Sequence, residues 1–255
     1  MIKDSLGDRM KRYEDVHRLK LMPRAPKIIR IDGKAFHTYL KHAKKPYDSS
    51  VMARLNLTAI RLMKEIGGTA RFAYLQSDEC SIVLNDALTH ETQAWFDNNV
   101  QKIASVAASI YSVTFNQLVA IGPELKELLP DAAYFDARVF AVPDPSEMVN
   151  YFVWRQQDAI RNSIQQYGRA KYSAKELHGK SCVEIKAMLE ASKSKWENEP
   201  AWTRNGVVID ASGNGTNIDS DVPLFQTNRA YLLDKFYPKE EEVEDTVGEK
   251  IGVYQ

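Results

Sequence analysis

The sequence predicts an α+β fold, a ferredoxin-like βαββαβ antiparallel sheet with its helices on one face, followed by a helical C-terminal region. Three observations carry that expectation. Four short runs rich in β-branched and aromatic residues, at positions 27–31, 70–75, 81–84 and 133–142, read as strands. Two longer stretches, 50–66 and about 96–118, space their apolar residues by three and four, as one face of a helix requires. Their order along the chain is strand, helix, strand, strand, helix, strand, the split βαβ arrangement.

Taken in order, residues 1–22 read as a short amphipathic helix and a loop, closed by Pro23 and Pro26. KIIRI (27–31) stops at Asp32-Gly33, a strand running into a turn. Met52, Leu55, Ala59, Leu62, Met63 and Ile66 form a helical stripe that Gly67-Gly68 terminates. Gln76-Ser77-Asp78-Glu79 separates the next two strands and is expected as the acidic tip of a hairpin. A long helix then carries Phe96, Val100, Ile103, Ala107 and Ile110 on one side, and the fourth strand, AYFDARVFAV, is stopped by Pro143. Residues 147–167 and 181–194 read as helices, and the remainder, with Pro200, Gly206, Gly213 and Gly215, as irregular chain. The expected division is a sheet-bearing region at 1–145 with its N-terminal helix, a helical region at 146–210, and an irregular extension with an acidic tail at 211–255.

At 255 residues, 44% hydrophobic and 27% charged, the chain has the composition of an ordinary globular protein with a sizeable core. No N-terminal apolar run resembles a signal peptide, and no segment is expected to cross a bilayer, so a cytoplasmic location is the default expectation. Cys80 and Cys182 are too few for a disulfide framework and read as reduced packing residues. The formal net charge is zero, but residues 1–60 hold fourteen Lys/Arg against six Asp/Glu, whereas 239–250 (KEEEVEDTVGEK) hold six acids against two lysines. The basic half suits local phosphate contacts and equally suits a solvated mixed surface.

In the predicted topology the first and third strands are antiparallel neighbours in the middle of the sheet. Asp32, at the end of one, then meets Asp78, at the start of the other, across about 46 residues of sequence. Such a pair supplies the hard oxygen ligands that Mg²⁺ prefers and leaves positions for water and phosphate. In two-metal phosphoryl transfer one ion lowers the pKa of the attacking hydroxyl and the other neutralises the leaving pyrophosphate. Gly33 permits close backbone approach, and the stretch Lys34-Ala35-Phe36-His37 offers amides to cradle a triphosphate. Each motif alone has a plain structural reading, since Asp-Gly after a strand and Ser-Asp-Glu at a hairpin tip are common turn signals. Their convergence favours chemistry. The five histidines lack zinc-ligand spacing, no P-loop or dinucleotide-binding glycine string is present, and neither Ser77 nor Ser109 has triad partners in sequence context.

The strings RIDGKAFHTY (30–39), KKPYD (44–48), YLQSDECSIVL (74–84), YFDARVFAVP (134–143) and YFVWRQQDAIRNSI (151–164) resemble the tRNA-His guanylyltransferase family, especially its Thg1-like branch. The resemblance runs in order from about residue 7 to 209. It implies a polymerase-palm-type catalytic domain at 1–145, a fingers-like helical region at 146–210, and a reverse polymerase that grows RNA from 3′ to 5′. In the family, ATP activates the 5′ end of a tRNA as an adenylylated intermediate, which the 3′-hydroxyl of an incoming nucleoside triphosphate then attacks. By the same resemblance two Mg²⁺ ions are held by Asp32, the Gly33 carbonyl and Asp78. Glu79 is a ligand or supporting carboxylate. Gly33, Lys34, Ala35, Phe36 and His37 hold the incoming triphosphate, ATP or GTP included. Lys45 and Asp48 lie near the nucleotide, and Ser77 and Lys102 contact a second triphosphate or the 5′ phosphate. Asp136, Arg138, Trp154, Arg155 and Asp158 match positions of architectural role, and a homotetramer is implied.

The chain departs from the eukaryotic pattern at one place. The HINNLYN string associated with tRNA-His recognition is here IRNSIQQ, with Ile160 in place of the histidine. This favours template-directed repair of 5′-truncated tRNA over obligatory addition of one G to tRNA-His. Two rivals share the topology: a nucleotide cyclase, which needs no RNA, and a non-enzymatic RNA-binding module. The second is disfavoured because KIIRI and ECSIVL present no stacking aromatics.

Overall fold

A computed structural model describes residues 5–130, 132–211 and 215–236. The acidic tail at 239–250 lies outside the described residues. In chain order the elements are α1 (Leu6–Asp15), β1 (Lys27–Gly33), α2 (Phe36–Tyr39), α3 (Ser49–Ile66), β2 (Ala70–Gln76), β3 (Glu79–Leu84), α4 (Val100–Ala120), α5 (Pro123–Leu128), β4 (Phe135–Ala141), α6 (Pro145–Lys171), α7 (Ala174–Leu177), α8 (Cys182–Ala191), α9 (Ala201–Asn205), β5 (Val207–Asp210), β6 (Asn217–Asp219) and α10 (Arg229–Phe236).

The strands form one sheet in the order β4-β1-β3-β2-β5-β6. The first four reproduce the expected ferredoxin-like order, with β1 and β3 as antiparallel neighbours in register Ile31↔Cys80 and Lys27↔Leu84. The sheet is longer than the sequence reading. Val207–Asp210 pairs with β2, and Asn217–Asp219 pairs with β5, so the stretch read as irregular extends the sheet by two strands and adds α10. A four-residue and a three-residue strand are too short for period-two alternation to register, which is why pattern reading missed them.

Period-two alternation sorts the strand residues between two cores. Ile29, Ile31, Ala73, Leu75, Ile82 and Leu84 belong to one, packed with Leu55, Ala59 and Leu62 of α3 and with Ile103, Ala107, Tyr111 and Phe115 of α4. The two crossover helices thus share one face, as expected. Ile28, Phe72, Tyr74, Val83 and Val208 belong to the other, covered by Met148, Val149 and Phe152 of α6 and by Leu232 and Phe236 of α10. The C-terminal helices therefore close the second face. A smaller cluster of Ile164, Ile185, Leu189 and Trp196 packs α8 onto the distal half of α6.

Local signals account for the helix ends. Asp48 caps α3 by accepting from the amides of Ser50 and Val51, and Gly67, with φ +85°, ends it in a conformation that a side chain would resist. Asp144 caps α6, with Pro145 in its first turn. Against expectation, α4 is long and apolar enough by length and composition to cross a membrane, with mean hydropathy 1.3. Its apolar stripe of Ile103, Ala107, Tyr111, Phe115 and Val119 is buried against α3 and the sheet, so that surface is already taken. Phe96, expected on this helix, precedes it in a kinked segment with φ +50°.

Candidate active site

The hairpin between β2 and β3 closes through two residues, Ser77 and Asp78, with Gln76 paired to Glu79. Ser77 sits at φ +51°, a left-handed conformation that disfavours a side chain by about 1 kcal/mol and concentrates at functional turns. This turn lifts Asp78 off the end of the sheet, beside the end of β1. The neighbourhood is tight: a Cβ added to Gly33 would lie 2.4 Å from Phe36 Cδ2 and 2.8 Å from an Asp78 carboxylate oxygen. Gly33 is therefore demanded by close approach. Asp32 is near enough that its charge, after burial, is the second cause pushing the Asp78 pKa up to about 6. The expected meeting of the two carboxylates takes place.

Asp78 stands between two cavities. The larger, about 780 Å³, is lined by Arg30, Asp32 and Glu79 from the sheet and by Trp154, Arg161 and Arg169 of α6 among others. The smaller, about 330 Å³, is lined by Phe36, His37, Lys45, Asp48 and the first turns of α3. Tyr47, Ser77, Asp78, Gln166 and Arg169 border both. Arg30 lies two residues before Asp32, hence on the same face of β1, and its buried Nε has no hydrogen-bond partner among the described residues. An orphaned guanidinium nitrogen and two crowded carboxylates fit a ligand that brings phosphate oxygens and cations together.

The donor set suits Mg²⁺. Among the described residues no cluster of three or more His, Cys, Asp or Glu is placed to hold a metal. Mg²⁺ does not need one, since it binds through one or two carboxylates with water and substrate phosphate completing its shell. Asp32 and Asp78, with the Gly33 carbonyl beside them, are the residues that would hold it.

Several expected site residues have other duties. Both oxygens of Glu79 are held by Arg155 of α6, at 2.7 Å from Nε and 2.6 Å from Nη2, and the pair is buried. Arg155 Nη2 also reaches Asp158 at 2.9 Å, and Asp158 in turn binds Arg161. With both oxygens engaged by Arg155, Glu79 braces the hairpin from α6, and it also lines the larger cavity beside Asp32. The 76-residue separation from Arg155 hid this partner from sequence reading.

Phe36 is buried among Tyr39, Phe115 and Phe135, with ring centroids 5.1–5.7 Å away, and forms the floor of the smaller cavity. Asp48 is occupied as the cap of α3, while the Lys45 ammonium donates to the Leu40 carbonyl at 2.8 Å. The Lys34 amide donates to the Tyr134 carbonyl, its ammonium lies over the Tyr134 ring, and neither Lys34 nor Ala35 lines either of these two cavities. Phe36 and His37, the first-turn residues of α2, line the smaller cavity, and the first amides of a helix have no intrahelical partner.

Lys102 does not join the site. It lies in the first turn of α4 at the opposite end of the sheet, roughly 20 Å away along β1, with its ammonium 5.0 Å over the Phe96 ring. The chain leaves β3 at that far end, so α4 begins there. Cys80 fulfils its packing role: it is fully buried, and burial pushes its thiol pKa up.

A carboxylate pair at adjoining strand ends of a β4-β1-β3-β2 sheet, facing a groove and a smaller pocket, defines a palm-type nucleotidyltransferase. Residues 7–143 match the family model described as Thg1, tRNAHis guanylyltransferase. A bacterial Thg1-like protein solved in complex with ATP is 38% identical with a TM-score of 0.85, covering 91% of this chain and 100% of that one. One solved with GTP is 37% identical with a TM-score of 0.77, covering 92% and 100%. The tRNA(His) guanylyltransferase of Saccharomyces cerevisiae is 28% identical over 147 residues, which are 56% of this chain and 60% of that enzyme. The chain belongs to the Thg1 family of tRNA nucleotide-addition enzymes.

Proposed function

We propose that this protein restores missing 5′ nucleotides of tRNA by template-directed addition in the 3′-to-5′ direction. The observation that carries the reading is the position of Asp78, shared by a polar groove wide enough for an RNA end and a smaller pocket sized for a nucleotide. In the first step an oxygen of the RNA 5′ phosphate attacks the α-phosphate of ATP and pyrophosphate leaves. In the second, the 3′-hydroxyl of the incoming triphosphate attacks the activated 5′ phosphate and AMP leaves. Mg²⁺ bound at Asp32 and Asp78 would acidify the attacking hydroxyl and neutralise leaving charge. Arg30, Arg161 and Arg169 orient phosphates from the groove side, and His37 with the α2 amides faces the triphosphate from the pocket side.

Ile160 supports repair over obligatory tRNA-His modification. It is half-buried against the Ile164–Trp196 cluster, where it packs and makes no polar contact, so the histidine of the eukaryotic string has no counterpart facing RNA. Assembly into a homotetramer accords with α1, which buries none of its residues and shows Leu6, Met10 and Tyr13 to solvent.

The deciding assay supplies 5′-labelled, 5′-monophosphorylated tRNA lacking its first nucleotide with Mg²⁺, ATP and each nucleoside triphosphate in turn. Extension should follow the opposite strand of the acceptor stem for several tRNAs. Addition of G to tRNA-His alone would reassign the enzyme to guanylyl addition, and cyclic nucleotide formed without RNA would overturn the reading. Binding of tRNA should weaken steeply with salt, as phosphate contacts require.

A further inference from the structure

We propose that Trp154 is a stacking platform for a nucleobase in the polar groove beside the Asp32–Asp78 pair, an inference that rests on the function proposed above. Its indole is 52% exposed although it lies on the otherwise well-packed helix α6, and it lines the same cavity as both carboxylates. One face is covered by the Arg155 guanidinium, whose carbon lies 4.4 Å from the ring centroid. Tyr151 meets the indole edge-on at 5.8 Å and 67°. Arg155 is itself immobilised by Glu79 and Asp158, so the ring is clamped from behind by a buried cation held through Nε and Nη2. The residue is half exposed, and with one face covered by the guanidinium the opposite face is the one on which a base would stack.

A clamped aromatic surface facing a groove otherwise lined by Gln157, Arg161, Asn162 and Gln165 suits a planar ligand with polar edges and attached phosphate. Every nucleobase has such a face, which makes stacking tolerant of sequence, as a repair enzyme acting on different tRNAs requires. The clamp also explains why the platform stands beside the chemistry: the Arg155 that backs Trp154 holds Glu79, the neighbour of Asp78. The base comes either from the RNA end or from the incoming nucleotide, and the test separates them.

The experiment measures the dissociation constant for 5′-truncated tRNA and the KM for the incoming triphosphate in Trp154→Ala and Trp154→Phe, with circular dichroism to check folding. Trp154→Ala should weaken the ligand that supplies the base about tenfold, or about 1.4 kcal/mol. Trp154→Phe should stay within about threefold because a smaller aromatic still stacks. It should also lose the Trp154 share of ligand-induced tryptophan quenching, the other three tryptophans remaining, a signal that a purely structural role would leave unchanged. A change confined to the tRNA constant assigns the base to the RNA, and one confined to KM assigns it to the nucleotide. Folded Trp154→Ala with both constants unchanged overturns the platform, as does undiminished quenching in Trp154→Phe. A wild-type protein that extends no truncated tRNA sinks the proposed function, whereas an active wild type beside an indifferent Trp154→Ala sinks the platform alone.

Discussion

Both ends of β1 bury charge, and they do so in opposite ways. At its start Lys27, 1% exposed, places its ammonium 2.7 Å from Asp86, which also accepts from Asn98 at 3.1 Å. Burial pushes the Asp86 carboxyl up, yet the hydrogen bonds from Lys27 and Asn98 outweigh it and its pKa ends below the usual carboxylate range. At the other end Asp32 and Asp78 confront like charge with like, and burial followed by that repulsion raises Asp78 to about 6. One end is electrically complete and serves the fold. The other sets like charge against like, a repulsion that a bound cation would relieve.

The widest gap between the ends should appear on removing a carboxylate. Asp32→Ala or Asp78→Ala is expected to lower nucleotide addition at least about 1,000-fold, roughly 4 kcal/mol of barrier, without lowering the urea midpoint. Retained activity in either variant would remove the metal assignment. Lys27→Met should do the reverse, leaving Asp86 buried without its cation and destabilising the protein by about 3–5 kcal/mol with an unaltered Mg²⁺ requirement in the folded fraction. Pairing it with Asp86→Leu should recover most of the loss, and a failure to recover would show that the pair is not the source.

A smaller effect belongs to the hairpin support. Arg155→Lys keeps a cation but cannot grip both Glu79 oxygens, so addition should fall about tenfold and the Mg²⁺ concentration for half-maximal rate should rise. An unchanged Mg²⁺ dependence would separate Glu79 from Asp78. The smallest effect is on metal-free stability. The folded-state pKa of Asp78 lies above its unfolded value, so the native state holds a proton between about pH 4 and pH 6 that the unfolded chain has released. Stability without metal therefore falls as pH rises through that window, and Asp32→Asn should relieve it by about 1 kcal/mol at pH 7 and not at pH 4. Equal differences at the two pH values would contradict the carboxylate coupling, and added Mg²⁺ should close the gap.

The legible part of the site was the part written in local pattern. KIIRI stopping at Asp32-Gly33 and two strands separated by Gln76-Ser77-Asp78-Glu79 were enough, with the strand order, to bring the carboxylates together. Pattern could not show that Glu79 is claimed by Arg155, because residues 76 positions apart meet only when α6 crosses the second face of the sheet. Nor could it place Lys102, whose helix begins at the far end, or give Trp154 its open face, since exposure is a property of the surroundings.

The sequence by itself determined the order of the first four strands and their two crossover helices, the central pairing of β1 with β3, and the presence of two acidic groups at the ends of those strands, because turns and periodicity are short-range and each residue carries them. Tertiary structure alone decided which acid is free and which is tied, which lysine is near and which is remote, and where two cavities meet. Those outcomes depend on charges and surfaces brought into contact across the fold, where burial amplifies every electrostatic difference.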